Sequence, residues 1–590
     1  MKKIINNNIY ALKQIWKFNP SFVIIEILSC ISGIIEPIIE VYFLQKLIEM
    51  VVEKRTINEI VSFVIFFTIV KGILMLYFSY LNEYYFPQKT EIIKNKLTAE
   101  YMQKLRMLDL ECFDNSEYYD KYTRSAGEAA ERPILVFTTL IQFFVCFLEI
   151  GTLITLMITM DPVAIVIAVA NVLLAVIWQS KKGSITYEMN MEKTLSERLK
   201  KYFFNLFWGN EYAKEIRTSN IHKLIGKKYD LQADESLSIS KKFLKKIFLL
   251  NTKTATTNAL SFGIMYGYFA VMAYIGRITV GSIAALLVAV SQLSQNIVKL
   301  FQYIPEFYQH SLYIENLYPI LNYETKIECE EGLAIEKIES IEFQNVSFSY
   351  PFTNHQVLSN VSFKVCRGEK VALVGHNGAG KTTLFKLLCR FYDVDEGRIL
   401  INGIDIREYN VHQLRALYGI VFQDYKFFHI SIAENLLNRE LEENDETTIW
   451  KVLEECNIKE RVLRAEKGIF SSVSKEFDNS GEIFSGGEQQ RLAVAKAMLQ
   501  HPDVFLMDEP SSALDPVAEA QLIHSMNQVA EDKLCIMITH RLSNVCDAEK
   551  IIVLDSGCVK EEGTHKILME CQGKYYEMFE LQSKQYLQEV

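Results

Sequence analysis

The chain has 590 residues, of which 49% are hydrophobic and 23% charged, and its formal net charge at pH 7 is −10. This length is too great for one domain, and the negative charge argues against nucleic acid as the main partner. The 11 cysteines show no CxxC pair and no other metal-ligand spacing, so we expect free thiols in a reducing compartment.

The first 320 residues form the apolar part of the chain. The start, MKKIINNNIYALKQIWKF, lacks an uninterrupted apolar core and a cleavage site, so its pattern predicts an amphipathic helix along the membrane surface. Several of the apolar segments that follow reach the roughly 20 residues with which a helix crosses a bilayer. We expect six spans, near residues 20–50, 58–84, 134–160, 161–182, 258–277 and 280–305.

The predicted helices are longer than a membrane is thick. Roughly 300 residues shared among six helices give about 75 Å per helix, against a hydrocarbon core of about 30 Å. Residues 86–133 and 183–250 are rich in lysine, whereas the turns on the opposite side are short. Because a lysine bias marks the cytoplasmic side, we expect long helical extensions into the cytoplasm, together with both termini.

Ionisable residues inside the predicted spans are costly and therefore informative. Glu26, Glu36 and Glu40 share one face of the first span, while Lys71 lies in the second span and Glu149 in the third. One hypothesis is that the acids pair with Lys71 or with another helix inside the bundle. A second is that all four acids line a path for a cationic substrate, and a third is that they simply lie near an interface.

The character of the chain changes after residue 320. Residues 321–340 form a charged linker, and strand and helix signals then alternate from residue 341 to the end. This alternation predicts an α/β domain of about 250 residues.

A strand–loop–helix motif with phosphate-binding chemistry lies early in the α/β domain. The strand KVALVG runs into GHNGAGKTT, which matches G-x-x-x-x-G-K-[ST] in its required context. Its glycines let the backbone close around phosphates, Lys381 brings a cation to the β- and γ-phosphates, and the Thr382 hydroxyl ligates Mg²⁺. The predicted nucleotide contacts of this loop are Gly375, Asn377, Gly378, Gly380, Lys381, Thr382 and Thr383.

A second segment, FSGGEQQR at residues 484–491, also has the composition of a phosphate site. A serine and two glycines directly precede an apolar run that reads as helix. Unpaired N–H groups and the helix dipole favour phosphate at such a helix start. One domain thus carries two phosphate-binding segments.

A buried strand ending in two acids, VFLMDEP at residues 504–510, follows this segment. Asp508 fits the carboxylate on the magnesium side of a nucleotide site, and Glu509 fits the base that polarises the attacking water. Together with the glycine-rich loop, these acids predict an ATPase.

At this point the motifs show a family resemblance. The α/β part resembles the nucleotide-binding domain of ABC transporters, and the whole chain resembles an exporter-type half-transporter. The resemblance implies a multidomain membrane protein, with an all-α six-helix transmembrane domain (1–320), a linker (321–340) and an α/β P-loop ATPase domain (341–590). It also implies an ATPase coupled to transmembrane movement of a substance, with ATP and Mg²⁺ as cofactors.

The resemblance assigns further residues to the nucleotide site. Tyr350 stands where the family stacks an aromatic ring on adenine, and His540 matches the histidine that contacts the γ-phosphate. Asp515 ends the loop that crosses to the partner subunit. The implied metal ligands are Thr382, Gln423 and Asp508, and the implied catalytic residues are Lys381, Gln423, Glu509 and His540.

The signature motif of the family accounts for the second phosphate-binding segment. It closes over the γ-phosphate held by the other subunit, so the resemblance implies a dimer with two shared ATP sites. Here the motif consists of Ser485, Gly486, Gly487 and Glu488. The motif departs from the family's usual form at Phe484, at Glu488 and in the preceding segment 474–483. These departures bear on the expected coupling, and they leave the expected fold unchanged. Because Glu509 and His540 are both present, neither half-site is degenerate, and we expect a homodimer.

Two loops of the membrane half resemble the coupling loops of exporters, at residues 108–122 and 211–223. We therefore expect ATP-driven export by alternating access across a bacterial cytoplasmic membrane. The candidate cargoes are a cationic or modified peptide and an amphipathic drug. A lipid flippase and an ATP-gated sensor remain alternatives, although the intact Glu509 and His540 weigh against a sensor.

Overall fold

The chain forms two compact units, residues 1–104 with 121–322 and residues 105–120 with 323–590. The computed structural model describes residues 2–115, 129–209, 212–328, 331–353, 355–510, 519 and 532–588. In its described residues the first unit is helical, and the second combines helices with two β-sheets.

Long helices make up the first unit. A π-helical segment, Tyr80–Tyr85, joins α4 to α5, so that residues 57–106 run as one continuous helix. The short helix α6 belongs to the second unit. In chain order the helices to residue 322 are α1 (Lys2–Phe18), α2 (Pro20–Gly33), α3 (Ile35–Val52), α4 (Ile57–Ser79), α5 (Phe86–Arg106), α6 (Glu111–Asp114), α7 (Arg132–Met160), α8 (Pro162–Trp208), α9 (Ala213–Thr218), α10 (Ile221–Tyr274) and α11 (Val280–Leu321).

Side-chain caps fix where several of these helices begin. The Asn19 side chain accepts a hydrogen bond from the backbone of Phe22 at the start of α2. Asp161 caps α8 in the same way, and Thr279 caps α11. Each cap satisfies one of the N–H groups that the first turn of a helix leaves unpaired.

Four helical stretches among the described residues are long and apolar enough to cross a membrane. They are Pro20–Val52, Ile57–Arg106, Arg132–Met160 and Val280–Leu321. The helices α8 and α10 cover the other two predicted spans but are not among the four. In α10, glycine, tyrosine and asparagine dilute the apolar residues of its last turns. The predicted number of six spans is therefore not confirmed.

Three apolar clusters pack the described helices of the first unit against one another, and two of them are large. One joins α3, α7, α10 and α11 and includes Val41, Leu153 and Leu286. Gly281 lets α11 approach α3 closely, because a Cβ there would lie 2.5 Å from the carbonyl oxygen of Gln45. The other large cluster packs α1 and α2 against α5, α7 and the end of α11.

The second unit contains two sheets. The first is antiparallel, with strand order β2-β1-β4-β5. The second has the order β10-β9-β3-β8-β7-β6, in which only β10 is antiparallel to its neighbour among the described strands. The strands are β1 (Ser340–Ser349), β2 (Gln356–Cys366), β3 (Lys370–Gly375), β4 (Glu396–Ile401), β5 (Ile404–Asp405), β6 (Tyr418–Val421), β7 (Val504–Asp508), β8 (Leu534–Ile538), β9 (Lys550–Asp555) and β10 (Cys558–Gly563).

Helices cover the six-stranded sheet. A large apolar core lies between the two sheets and α12, and a separate one packs beneath α14, α15 and α17. The helices of this part are α12 (Lys381–Leu388), α13 (Val411–Ala416), α14 (Ile432–Leu437), α15 (Asp445–Glu455), α16 (Lys459–Leu463), α17 (Gly486–Leu499), α18 (His565–Cys571) and α19 (Lys574–Gln588). Because β3, β8 and β7 are adjacent and parallel, their carboxyl ends meet at one edge of the sheet.

Candidate functional site

A cavity of about 480 Å³ opens at the carboxyl ends of β3, β8 and β7. The loop between β3 and α12 lines it with residues 377–383. Gln423, Asp508, Glu509 and His540 line the same cavity, although they come from three other parts of the chain. The sheet topology therefore brings the separate sequence motifs together around one space.

Two glycines shape the loop that lines the cavity. Gly375 and Gly380 have φ values of +153° and +102°, a region that favours glycine. A Cβ on Gly375 would clash with the carbonyl oxygen of Leu554, and one on Gly380 would lie 2.5 Å from Leu358 Cδ2. Since α12 begins directly after Gly380, the unpaired N–H groups of its first turn are available to an anion.

The Lys381 side chain is buried beneath this loop. Its Nζ donates hydrogen bonds to the carbonyl oxygens of Gly375, at 2.7 Å, and His376, at 3.0 Å. Burial lowers the pKa of Lys381, while the charges of Glu509 and Asp508 oppose that effect. The loop thus holds an ammonium group where phosphates would contact it.

The neighbouring residue Thr382 connects the loop to β7. Its hydroxyl donates a hydrogen bond to Asp508 Oδ2 at 2.9 Å, and Asp508 is buried. Burial raises the pKa of Asp508, and the bond from Thr382 counteracts this. A hydroxyl, a carboxylate and the amide oxygen of Gln423 are the oxygen ligands that Mg²⁺ prefers, so these residues fit that ion.

Glu509 lies at the centre of the polar contacts. Its carboxylate accepts a hydrogen bond from Gln423 Nε2 at 3.2 Å and lies 2.9 Å from His540 Nε2. Its φ of +52° is strained for a residue other than glycine. Two backbone contacts hold it there, because its carbonyl oxygen accepts from Gln490 Nε2 at 3.0 Å and its N–H donates to Ile538 at 3.0 Å. The sequence motifs did not identify Gln490, which is 2% exposed.

His540 follows β8 and completes the polar wall of the cavity. Burial and the charge of Lys381 lower the pKa of His540, against the opposing effect of Glu509. Its backbone carbonyl accepts a hydrogen bond from Gln582 Nε2 at 2.5 Å. Contacts on both the ring and the backbone therefore fix this residue beside Glu509.

Tyr350 lies outside the cavity lining but is joined to the loop. Its hydroxyl is 3.1 Å from Thr383 Oγ1, and its ring packs edge-on against Tyr392 with centroids 5.4 Å apart. The ammonium of Lys386 lies 5.1 Å from its ring centroid. The predicted stacking on adenine stays a prediction.

The signature residues begin helix α17. Ser485 is the N-cap, its Oγ accepts from the N–H of Glu488, and Glu488 Oε2 accepts from the N–H of Ser485 at 2.8 Å. Arg461 Nε lies 3.5 Å from Glu488 Oε1, and its guanidinium also pairs with Glu482 at 2.9 Å. Phe484 is buried in the helical core. The two residues that depart from the family pattern are thus a core residue and a helix cap.

The signature residues 485–488 are not among the described residues that line the cavity. Gly375 lines a neighbouring cavity, together with His376 and His540. The predicted contact Asp515 lies outside the described residues. The second phosphate-binding segment therefore does not share a cavity with the first one within the chain.

In the first unit, the acids predicted to bind cargo have different partners. Glu40 pairs with Lys71 at 2.5 Å, and Glu149 accepts a hydrogen bond from Asn296 at 2.7 Å. One carboxyl oxygen of Glu26 is buried without a hydrogen-bond partner among the described residues. Glu36 is half-buried near Lys71. Pairing with Lys71 thus accounts for Glu40 but not for Glu26.

The first predicted coupling loop contributes to the second unit. Asp109 is 1% exposed, and its carboxylate accepts hydrogen bonds from the backbone N–H groups of residues 326–328 at 2.9, 3.2 and 3.1 Å. Tyr323 also donates to Asp109, at 2.7 Å, and Tyr392 donates to Asp114. Residues 116–122 of the loop lie outside the described residues. The second loop contains α9, in the first unit.

Comparison with known proteins gives matches over almost the whole chain. The family model described as ABC transporter matches residues 358–512. The subtilin transport ATP-binding protein SpaT of Bacillus subtilis is 30% identical over 567 residues, which cover 94% of this chain and 90% of that protein. The ATP-dependent lipid A-core flippase of Idiomarina loihiensis is 30% identical over 340 residues, which cover 57% of this chain and 58% of that protein.

A solved structure shares the fold. It is titled as a bacterial Atm1-family ABC exporter with ATP bound, and it matches with a TM-score of 0.75 at 24% identity. The match covers 95% of this chain and 98% of the other. The family match also implies ATP binding, with Mg²⁺ as the usual partner ion. The resemblance seen in the motifs is thus confirmed: this chain belongs to the ABC transporter family, as a multi-pass membrane exporter whose α/β ATPase domain follows a helical membrane domain.

Proposed function

We propose that two copies of this chain form a homodimer in a bacterial cytoplasmic membrane and export a cationic peptide, driven by ATP hydrolysis at two shared sites. The observation that carries the cargo class concerns the ionisable residues inside the apolar stretches of the first unit, where acids outnumber lysines. Lys71 interacts with Glu36 and Glu40, and Lys299 interacts with Glu149. With Glu26, these described residues comprise four carboxyl groups and two ammonium groups.

This excess favours positively charged cargo. A charge inside a membrane protein has few water molecules to screen it, so an electrostatic attraction counts for more there than in water. Glu26 supports the proposal most directly, because one of its carboxyl oxygens has no partner among the described residues. The relative that aligns over 90% of its own length is named for subtilin transport.

The arrangement of the ATPase domain supports a dimer. Ser485 and the two following glycines are not among the described residues that line the cavity around Lys381. A second copy of the chain would bring them to the phosphates. Glu509 and His540 are both present, and identical chains would therefore form two equivalent sites. The lysine-rich segments 86–133 and 183–250 support a cytoplasmic position for the ATPase domain.

The chain's own residues have distinct tasks in this proposal. Lys381 and the first turn of α12 would bind phosphates, and Thr382, Gln423 and Asp508 would hold the metal ion. A Mg²⁺ ion held there would neutralise charge on the phosphates. Glu509 accepts a proton from the attacking water, with its carboxylate oriented by His540.

The test uses the full-length protein in proteoliposomes of bacterial phospholipids. A lysine-rich amphipathic peptide is compared with the same peptide after acetylation of its lysines, and with a cationic drug and a labelled phospholipid. We expect the unmodified peptide to stimulate ATP hydrolysis and to accumulate in the lumen, with much weaker effects of the acetylated form. Vesicles with Glu509→Gln protein are the control for passive binding.

Three results would overturn the proposal. Equal stimulation by the acetylated peptide would exclude recognition of positive charge. Movement of the phospholipid alone would identify a flippase. ATP hydrolysis that responds to none of the four compounds would favour a sensor.

A further inference from the structure

An apolar groove of about 580 Å³ lies between α1, α2 and α7 in the first unit. Its lining runs from Val23 to Ile31 on α2 and from Phe137 to Leu148 on α7. The rise along α7 from Phe137 to Leu148 is about 16 Å. This length is close to the hydrocarbon depth of one leaflet, which is about half of the roughly 30 Å of a bilayer core. The groove thus has the depth and the apolar walls that suit one acyl chain.

The helix α1 supplies a basic residue to this groove. Lys13 and Trp16 belong to its lining, and both side chains are exposed. Lys13 has no hydrogen-bond or ion-pair partner in the part of the chain that the structure describes. Lys17, one turn further along, pairs with Glu100 at 2.9 Å. The sequence of α1 contains no acidic residue, so no acid on the same helix neutralises Lys13.

We propose that this groove binds one anionic phospholipid, with an acyl chain along α2 and α7 and its phosphate beside Lys13. An amphipathic helix with lysines on its polar side attracts anionic headgroups, and tryptophan favours the depth of the headgroups. The site would tie α1 to the membrane surface. It is independent of the cargo and of the direction of transport.

Trp16 provides a reporter within the proposed site. The other tryptophans, Trp178, Trp208 and Trp450, are replaced by phenylalanine in the full-length protein. The protein is placed in nanodiscs of phosphatidylcholine that contain a small fraction of phosphatidylglycerol. Bromine atoms, which quench tryptophan fluorescence on contact, are carried on the acyl chains of either the phosphatidylglycerol or an equal fraction of the phosphatidylcholine.

We expect brominated phosphatidylglycerol to quench Trp16 several-fold more than the same fraction of brominated phosphatidylcholine. Lys13→Gln should remove this difference. Lys17→Gln is the matched control, since it removes the same charge from the same helix at a residue that does not line the groove. Ile27→Phe, which fills the groove, should also reduce quenching by brominated phosphatidylglycerol while ATP hydrolysis shows that the protein is folded.

Each alternative outcome contradicts a part of the proposal. Equal quenching by the two lipids would show that no anionic lipid is selected. An equal loss in the two lysine variants would show attraction by the summed charge of the helix without a defined site. Unchanged quenching in a folded Ile27→Phe protein would exclude the acyl chain from the groove.

Discussion

The two units of the molecule hold their ionisable residues in different ways. In the ATPase domain, Lys381, Asp508 and Glu509 converge on one cavity, and each has a hydrogen bond or ion pair with a neighbouring group. In the membrane unit, Glu40 has a cationic partner, whereas one oxygen of Glu26 has none among the described residues. ATP has one fixed chemistry, so the residues that contact ATP form short motifs. The cargo of an exporter differs between family members, so the residues that contact the cargo form no such motif.

The largest effect is expected at the proposed catalytic base. Glu509→Gln keeps the size of the side chain but cannot accept a proton from water, so the turnover of ATP should fall by at least about 100-fold. Binding of ATP should persist, because Lys381 and Thr382 are unchanged. Steady-state hydrolysis and equilibrium nucleotide binding measure the two effects. Glu466→Gln, at an exposed residue, is the control, and turnover near the wild-type rate in Glu509→Gln would refute the assignment.

A smaller effect is expected at Gln490, which we assign as a positioning residue for Glu509. Gln490→Leu leaves the carbonyl oxygen of Glu509 without its donor, a loss of about 1–1.5 kcal/mol. We expect about a tenfold lower kcat with little change in KM for ATP, since the hydrogen bond acts on the base and not on the phosphates. Gln500→Leu, at the exposed end of the same helix, is the control. An equal change in kcat and KM would point to a purely structural role.

In the membrane unit, the contrast between Glu40 and Glu26 is open to direct measurement. Glu40→Gln leaves Lys71 without its closest carboxylate. Because both side chains are partly exposed, the pair contributes up to about 1 kcal/mol, so the melting temperature should fall by about a degree or two. Adding Lys71→Met should restore it. Glu26→Gln should keep the melting temperature and reduce stimulation by a cationic peptide. Stimulation unchanged in a stable Glu26→Gln protein would remove Glu26 from the cargo path.

The smallest effect concerns the atypical signature motif. Glu488 places a carboxylate at the start of α17, where it repels phosphate, although Arg461 lies 3.5 Å away and offsets part of the charge. Glu488→Gln keeps a side-chain oxygen for the cap on Ser485. Removing a charge at a helix terminus should change the free energy of phosphate binding by about 0.3–1 kcal/mol. The KM for ATP, measured at low ionic strength, should therefore be about two- to fivefold lower in this variant. A higher KM in this variant would show that the carboxylate assists binding.

The sequence predicts the ATPase cavity well because each motif follows a buried strand. Lys381 follows β3, Asp508 ends β7 and His540 follows β8, so parallel pairing is enough to bring them to one edge. Gln490 escapes prediction because its contact with Glu509 depends on how α17 packs, which no local pattern specifies. The same holds for the pair of Glu40 and Lys71, where spacing allowed three hypotheses. Periodicity does not fix the number of spans either, because it finds long helices without deciding which part of each helix lies in lipid.

The buried carboxylate of Asp109 has a consequence for how the chain is made. Its partners, the backbone N–H groups of residues 326–328, are synthesised more than 200 residues later, at sequence separations of 217 to 219. The ATPase half therefore finishes folding around a segment that left the ribosome long before it. A fragment beginning at residue 323 would lack that segment and would expose three backbone donors that the intact protein satisfies.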